Sequence, residues 1–273
     1  VRPPSRRRVF KPSARLYTTL MLLKELDQYF RGHLAINEFE RLDPSMNGIQ
    51  VGRSDTPITR VAFAVDACLE TFERAHDQGA QALVVHHGLF WGKERAVTGH
   101  HYRRLHYLMH HDMALYAIHL PLDQHPDLGN NIRMVRRLDL DKVEPFGSFR
   151  GEDIGYAGRL PEAMAVEEIS SRLFGTADNV IQTLPFGAER VEQIGIVSGG
   201  APGSVHEAIH KGLELFITGD ASHTIYHAAL EEGINVIFGG HYNTETWGVS
   251  ALAERLQEDT GLETVFVDVP TGL

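Results

Sequence analysis

The chain carries a single cysteine, Cys68, among 273 residues. No intrachain disulfide can form, and cysteine-rich zinc sites and iron–sulfur ligation are excluded. Any metal held by this chain must rest on histidine and carboxylate. A lone cysteine also suits a reducing compartment, and a cytoplasmic location is the expectation. No apolar run approaches the length of a membrane-spanning helix. Acid is missing from residues 1–20, which hold Arg2, Arg6, Arg7, Arg8, Lys11 and Arg15. Those six positive charges leave −16 on residues 21–273, against −10 for the whole chain. An acidic body opposes generic binding to nucleic acid or to anionic membrane.

What remains is the composition of an ordinary globular protein, with 42% apolar and 23% charged residues. The length allows one large domain or two modest ones. Residues 1–20 read as a basic N-terminal extension upstream of a start at Met21, with a targeting segment or a functional arm as rival readings. Histidine stands out: nine of the sixteen fall between His86 and His125.

Three stretches share a style. Val84-Val85-His86-His87-Gly88 is a buried-strand pattern delivering two imidazoles to a turn. Ala117-Ile118-His119-Leu120-Pro121-Leu122-Asp123 and Gly239-Gly240-His241-Tyr242-Asn243-Thr244-Glu245 each place a histidine and, four residues on, a carboxylate past an apolar strand. Around them the hydrophobic periodicity predicts alternating strands and helices. Helices are expected near 20–31, 69–78, 101–111, 130–138, 163–174, 204–211, 222–232 and 244–257. Strands are expected at 60–65, 82–85, 114–118, 180–184, 191–197, 213–217, 235–238 and 264–269, with a hairpin around 146–160.

Residues 21–145 and 146–273 then have one order: helix, strand, and three strand–helix pairs. Val61–Val65, a helix, Gly79 and Leu83–His87 match Ile194–Val197, a helix, Gly212 and Leu215–Asp220. His119-x-x-x-Asp123 matches His241-x-x-x-Glu245. This is an α/β chain of two duplicated repeats, with mixed, mostly parallel sheets covered by helices. In such sheets ligands bind outside the carboxyl ends of the strands. The metal site is therefore expected between the repeats.

Each residue has a blander reading. His86 and His87 could cap a loop, Asp123 could serve a turn after Pro121, and Glu245 could be a helix-start acid. The repeated spacing and the adjacent histidine pair favour ligands: His86, His87, Asp123, His241 and Glu245. Five such ligands suit two divalent ions with open positions for water. Zn, Mn, Fe, Co and Ni all accept this chemistry. His119 ranks lower, as an acid/base residue or a support to the ligands. Because Pro121 lies inside the first copy, the His-x-x-x-acid spacing is read as a strand end reaching into a loop or helix start, not as a helical i, i+4 pair. His100, His101, His106, His110 and His111 read as a solvated or interface face around core residues Leu105, Leu108 and Met109, with a second metal site there as the minor reading. Asp220, His223 and His227 read as cleft-lining. The Ser198–Gly203 turn is a weak phosphate-site signal.

From Met21 to the C-terminus the chain resembles the NIF-three-like family (NGG-one-interacting factor three), also labelled GTP cyclohydrolase I type 2 homologues. The resemblance rests on Asn47-Gly48-Ile49-Gln50-Val51, Val85-His86-His87-Gly88, His119-x-x-Leu122-Asp123, Thr218-Gly219-Asp220 with His227, and Gly240-His241-Tyr242-x-Thr244-Glu245. Thr-Gly-Asp replaces the usual Thr-Gly-Glu, and Leu120-Pro121 replaces a usual polar residue. The resemblance implies two intertwined repeats, a toroidal homohexamer and a dinuclear metal centre on the five ligands named above. It leaves two functions open. One is a metal-dependent hydrolase acting on a small nucleotide-like substrate, with His119 moving a proton. The other is a non-catalytic metal-handling or regulatory scaffold. Nucleic acid and membrane are not expected partners.

Overall fold

The computed structural model describes residues 19–176 and 179–273. All but the last two residues of the basic extension lie outside the described residues. The elements run β1 (Met21–Leu22), α1 (Leu23–His33), β2 (Gly48–Val51), β3 (Pro57–Ile58), β4 (Arg60–Asp66), α2 (Leu69–Asp77), β5 (Ala82–His87), α3 (Gly99–His110), β6 (Ala114–Ala117), α4 (Leu120–Asp123) and α5 (Asn130–Arg137). They continue with β7 (Asp141–Phe149), β8 (Glu152–Ala165), α6 (Val166–Phe174), β9 (Gln182–Leu184), β10 (Arg190–Val197), α7 (Val205–His210), β11 (Leu215–Thr218), α8 (Tyr226–Glu232), β12 (Asn235–Phe238), α9 (His241–Thr260) and β13 (Glu263–Phe266).

Two sheets organise the chain. The first has the order β13-β4-β5-β6-β2, parallel except for β2. The second has the order β7-β8-β10-β11-β12-β9, with a parallel centre of β10, β11 and β12 flanked by antiparallel strands. The central strands are buried on both faces, which is why they read as unbroken apolar runs such as Val61–Val65 and Ala82–Val85. The duplication is visible in the topology. The set β4-β5-β6-β2 and the set β10-β11-β12-β9 share one order, each closed by an antiparallel edge strand that precedes the other three in sequence.

The two halves exchange their last helices. Ile132, Met134 and Val135 of α5 pack in the core of the second sheet with Ile194 and Ile196. Val249, Leu252 and Leu256 of α9 pack in the core of the first sheet with Phe63 and Val84. The chain then adds β13 beside β4 of the first sheet. Asn130 joins the crossing helices: its Oδ1 accepts the Gly248 N–H at 2.7 Å. This exchange makes the repeats intertwined and brings the carboxyl ends of both parallel strand sets together.

Several boundaries differ from expectation. The hairpin is longer than 146–160, because β7 and β8 span 141–165 and absorb the first residues expected in the helix at 163–174. The helix expected from 222 begins with a 3-10 turn at His223–Ile225. The helix expected at 244–257 runs from His241 to Thr260. Gly240, at φ +92°, makes the sharp bend that starts it, and Gly261 ends it in the left-handed region.

Candidate metal centre

Three strand ends deliver the candidate ligands. His86 is fully buried at the end of β5, and His87 beside it is half-buried. Neighbours within a strand face opposite ways. At this strand end both rings reach one place, with centroids 4.7 Å apart. The connection after β6 supplies His119 and, from α4, Asp123. The first turns of α9 supply His241 and Glu245.

The five sequence-derived ligands converge. Ligand atoms of His86, Asp123 and Glu245 lie within 4.8 Å of one another, as do those of His87, His241 and Glu245. Glu245 is common to both groups, so its two oxygens can face two ions. A third group joins His86 and His87 to His119, placing His119 nearer the centre than a purely supporting role requires.

The histidines share one device. His86 Nδ1 lies 2.9 Å from the Ile118 carbonyl oxygen, His87 Nδ1 2.8 Å from Asp66 Oδ1, His119 Nδ1 2.8 Å from Asp43 Oδ1, and His241 Nδ1 2.8 Å from Asp220 Oδ1. An acceptor at Nδ1 holds the proton there and leaves Nε2 as the ligating atom, the usual arrangement behind a metal-bound imidazole. Asp123 is oriented too. Its Oδ1 accepts from Asn130 Nδ2 at 2.8 Å and from Ser198 Oγ at 3.0 Å, while Oδ2 lies 3.4 Å from His86 Nε2.

Electrostatics tie the groups together. Burial pushes the Glu245 carboxyl up, but the imidazoles of His86, His87 and His241 outweigh it and hold the group well below the usual carboxylate range. Burial pushes His86 down, yet the Asp123 and Glu245 carboxylates raise it to about 10. For His241 burial is likewise overcome by Glu245 and Asp220, and the result is about 9.

Two readings of the sequence need correction. His241 and Glu245 do form a helical i, i+4 pair, because α9 begins at His241; His241 Nε2 stands 3.2 Å from Glu245 Oε1. The first copy is also helical. Pro121 lies in the first turn of α4, where its missing N–H breaks no helical bond, and His119 caps that turn. His101 is buried against Phe90 and is not part of a solvated face.

The orienting acids Asp43 and Asp66 were not identified from sequence. Asp66 ends β4 as the register partner of His87. Asp43 sits in the Asp-Pro-Ser-Met-Asn-Gly turn and also accepts the N–H of Leu120 and of Ser45. Asp220, read as cleft-lining, positions His241. The Asn47-Gly48-Ile49-Gln50-Val51 motif also acquires a physical role. Asn47 Oδ1 accepts the His119 N–H at 2.7 Å, and Gln50 Oε1 accepts the Leu89 N–H at 2.6 Å, so both strand ends are pinned. Gly199, at φ +63°, passes so close to Glu245 that a Cβ there would collide with Oε1.

The centre opens on a cavity of about 520 Å³ lined by His87, Trp91, His119, Phe149, Ser198 and Glu245, among others. The Trp91 indole N–H donates to the Gly88 carbonyl, and its ring stands edge-to-face to His119 at 5.0 Å.

Comparison with known proteins gives the family. The profile of the family described as Duf34/NIF3 (NGG1p interacting factor 3) matches residues 21–272. The chain belongs to the Duf34/NIF3 family. Relatives named "GTP cyclohydrolase 1 type 2 homolog" are 42% identical in Treponema pallidum and 44% identical in Archaeoglobus fulgidus, each match covering 93% of this chain and 100% of the relative. The crystal structure of TTHA1606 from Thermus thermophilus superposes with a TM-score of 0.83 at 38% identity, covering 93% of this chain and 100% of that one. The Duf34/NIF3 match begins after the basic extension. No helix among the described residues is long and apolar enough to cross a membrane.

Proposed function

We propose that this Duf34/NIF3 protein holds two divalent ions and hydrolyses a small, ring-bearing, nucleotide-like substrate. The observation that carries the metal reading is a pair of orphaned atoms. His86 Nε2 and Glu245 Oε2 are buried and have no hydrogen-bond partner. His86 Nε2 stands 3.4 and 3.5 Å from two carboxylates without hydrogen-bonding either. Buried polar atoms are rarely left unsatisfied, and a cation between them would satisfy all of these groups at once. In this reading His86, Asp123 and Glu245 hold one ion, and His87, His241 and Glu245 hold the other.

Bound ions supply Lewis acidity at the reacting bond and lower the pKa of water. The chain's own residues do the rest. Asp123, locked by Asn130 and Ser198, turns one oxygen to the site. His119, outside both ligand groups, moves a proton at Nε2 because Asp43 holds Nδ1. Trp91 offers a planar wall for a ring and limits water on that side. A cytoplasmic, homo-oligomeric protein, a toroidal hexamer by family resemblance, is part of the same reading.

The test is elemental analysis of freshly purified protein, with an activity screen of nucleotides, phosphoesters and cyclic amides on the same sample. Turnover that disappears with the metal in Asp123→Ala supports the hydrolase. A loaded protein that turns over nothing, while Asp123→Ala still loses the ion it would hold with His86, overturns it in favour of a metal-handling scaffold.

A further inference from the structure

A second group of imidazoles lies outside the centre. His106 and His110 are one helical turn apart on the exposed face of α3, with rings stacked at 5.7 Å and an interplanar angle of 8°. His111 follows at the end of the helix, its ring 5.0 Å from that of His110. His76, in the last turn of α2, stands 4.1 Å from His111. The four rings form a row across the α2–α3 surface. None contributes to the core, and none has a side-chain hydrogen bond or ion pair among the described residues. The rings pack against one another and against Tyr102 and Tyr107.

We propose that His106, His110 and His111 form a second, surface site for one borderline divalent ion of the nickel, copper and zinc class. Residues four apart on a helix stand one above the other, so two imidazoles at that spacing can chelate a single ion. An all-imidazole donor set selects this class over magnesium and calcium, which take oxygen. Three-residue groups with converged ligand atoms occur, among the described residues, only at the centre. The surface rings must therefore rotate to close on an ion, at a cost in side-chain entropy. This site is accordingly weaker and faster-exchanging than the centre. It faces solvent and offers incoming metal a first landing place.

The test uses the full chain, dialysed against nickel in the presence of excess magnesium, with bound nickel counted by elemental analysis. The expected result is one equivalent beyond the content of the centre, absent from His106→Gln/His110→Gln and present in Glu245→Gln. Copper bound in place of nickel should show nitrogen coupling by electron paramagnetic resonance, lost in the same double variant. Both substituted side chains are exposed, so thermal melting should be unchanged. No further equivalent in the wild-type chain, or equal nickel in the double variant, overturns the proposal.

Discussion

His119 and Asp43 form a closed pair: Nδ1 lies 2.8 Å from Oδ1, and the Asp43 side chain is inaccessible to solvent. Burial alone would raise the Asp43 carboxyl, but His119, Asn47 and the Ser45 N–H lower it below its ordinary value. Asp43→Asn keeps the shape and removes the charge. Weakening hydrogen bonds of this buried group should cost about 1–3 kcal/mol of stability, measured by denaturant unfolding. Metal content should stay at the wild-type value, because Asp43 touches no member of the two ligand groups. If His119 is the proton carrier, His119→Gln should lower kcat by roughly 10²–10⁴ with metal retained.

The shared position of Glu245 predicts unequal effects of removing the two carboxylates. Asp123→Ala should reduce metal content by one ion at limiting metal, and Glu245→Ala should abolish tight binding of both. Elemental analysis after desalting reads this directly. In the metal-free state, Glu245→Ala also removes a charge facing buried His86, and breaking a buried pair typically costs about 3–5 kcal/mol. Equal losses in the two variants would contradict a shared carboxylate.

Metal loading should remove the loss of stability above neutral pH. In the metal-free chain His86 and His241 titrate at about 10 and about 9, above the ordinary 6.5. Their raised values contribute stability that is complete below pH 6.5 and lost as pH rises through 9 and 10. Glu245, held low, contributes stability present above its ordinary 4.5 and lost in stronger acid. The metal-free Tm should therefore fall from neutral pH upward. Ions replace the protons and need neutral imidazoles, so the gain in Tm on loading should grow over the same window, with proton release on binding.

Much of this centre is legible in the sequence because two signals are local. Apolar runs ending in His-His or in His-x-x-x-acid mark strand ends, and the duplicated order of elements says those ends are equivalent. Asp43 and Asp66 were not legible, because what makes them matter is a partner 76 or 21 residues away. The exchange of α5 and α9 was hidden for a similar reason. α5 is strongly amphipathic and α9 is buried around much of its surface, and neither pattern names the sheet it packs against. Pro121 misled because a proline is excluded from helix interiors and not from the first turn, and the helix start could not be placed to one residue.

Gly199 isolates site geometry from fold. It occupies the left-handed region at φ +63°, and its missing Cβ leaves room for Glu245 Oε1. Gly199→Ala should carry a backbone penalty of about 1–2 kcal/mol and also displace the Glu245 carboxylate. The expected outcome is a folded protein with a modestly lowered Tm and a disproportionate loss of metal affinity, measured by competition with a chromogenic chelator. Wild-type affinity in this variant would show that Glu245 tolerates displacement and is not a close ligand.

Trp91 gives the centre an optical reporter. The chain has two tryptophans, Trp91 at 5.0 Å from His119 and 5.9 Å from His87, and Trp247 on α9. On loading, His87 Nε2 is committed to an ion and the field around the indole changes. Emission should therefore shift in step with metal binding. Trp91→Phe should abolish the response while leaving metal content unchanged, and Trp247→Phe should preserve it. A substrate ring lying against Trp91 should quench the same signal in loaded protein without any turnover being required. A response that survives in Trp91→Phe and vanishes in Trp247→Phe would place the binding event away from this cavity.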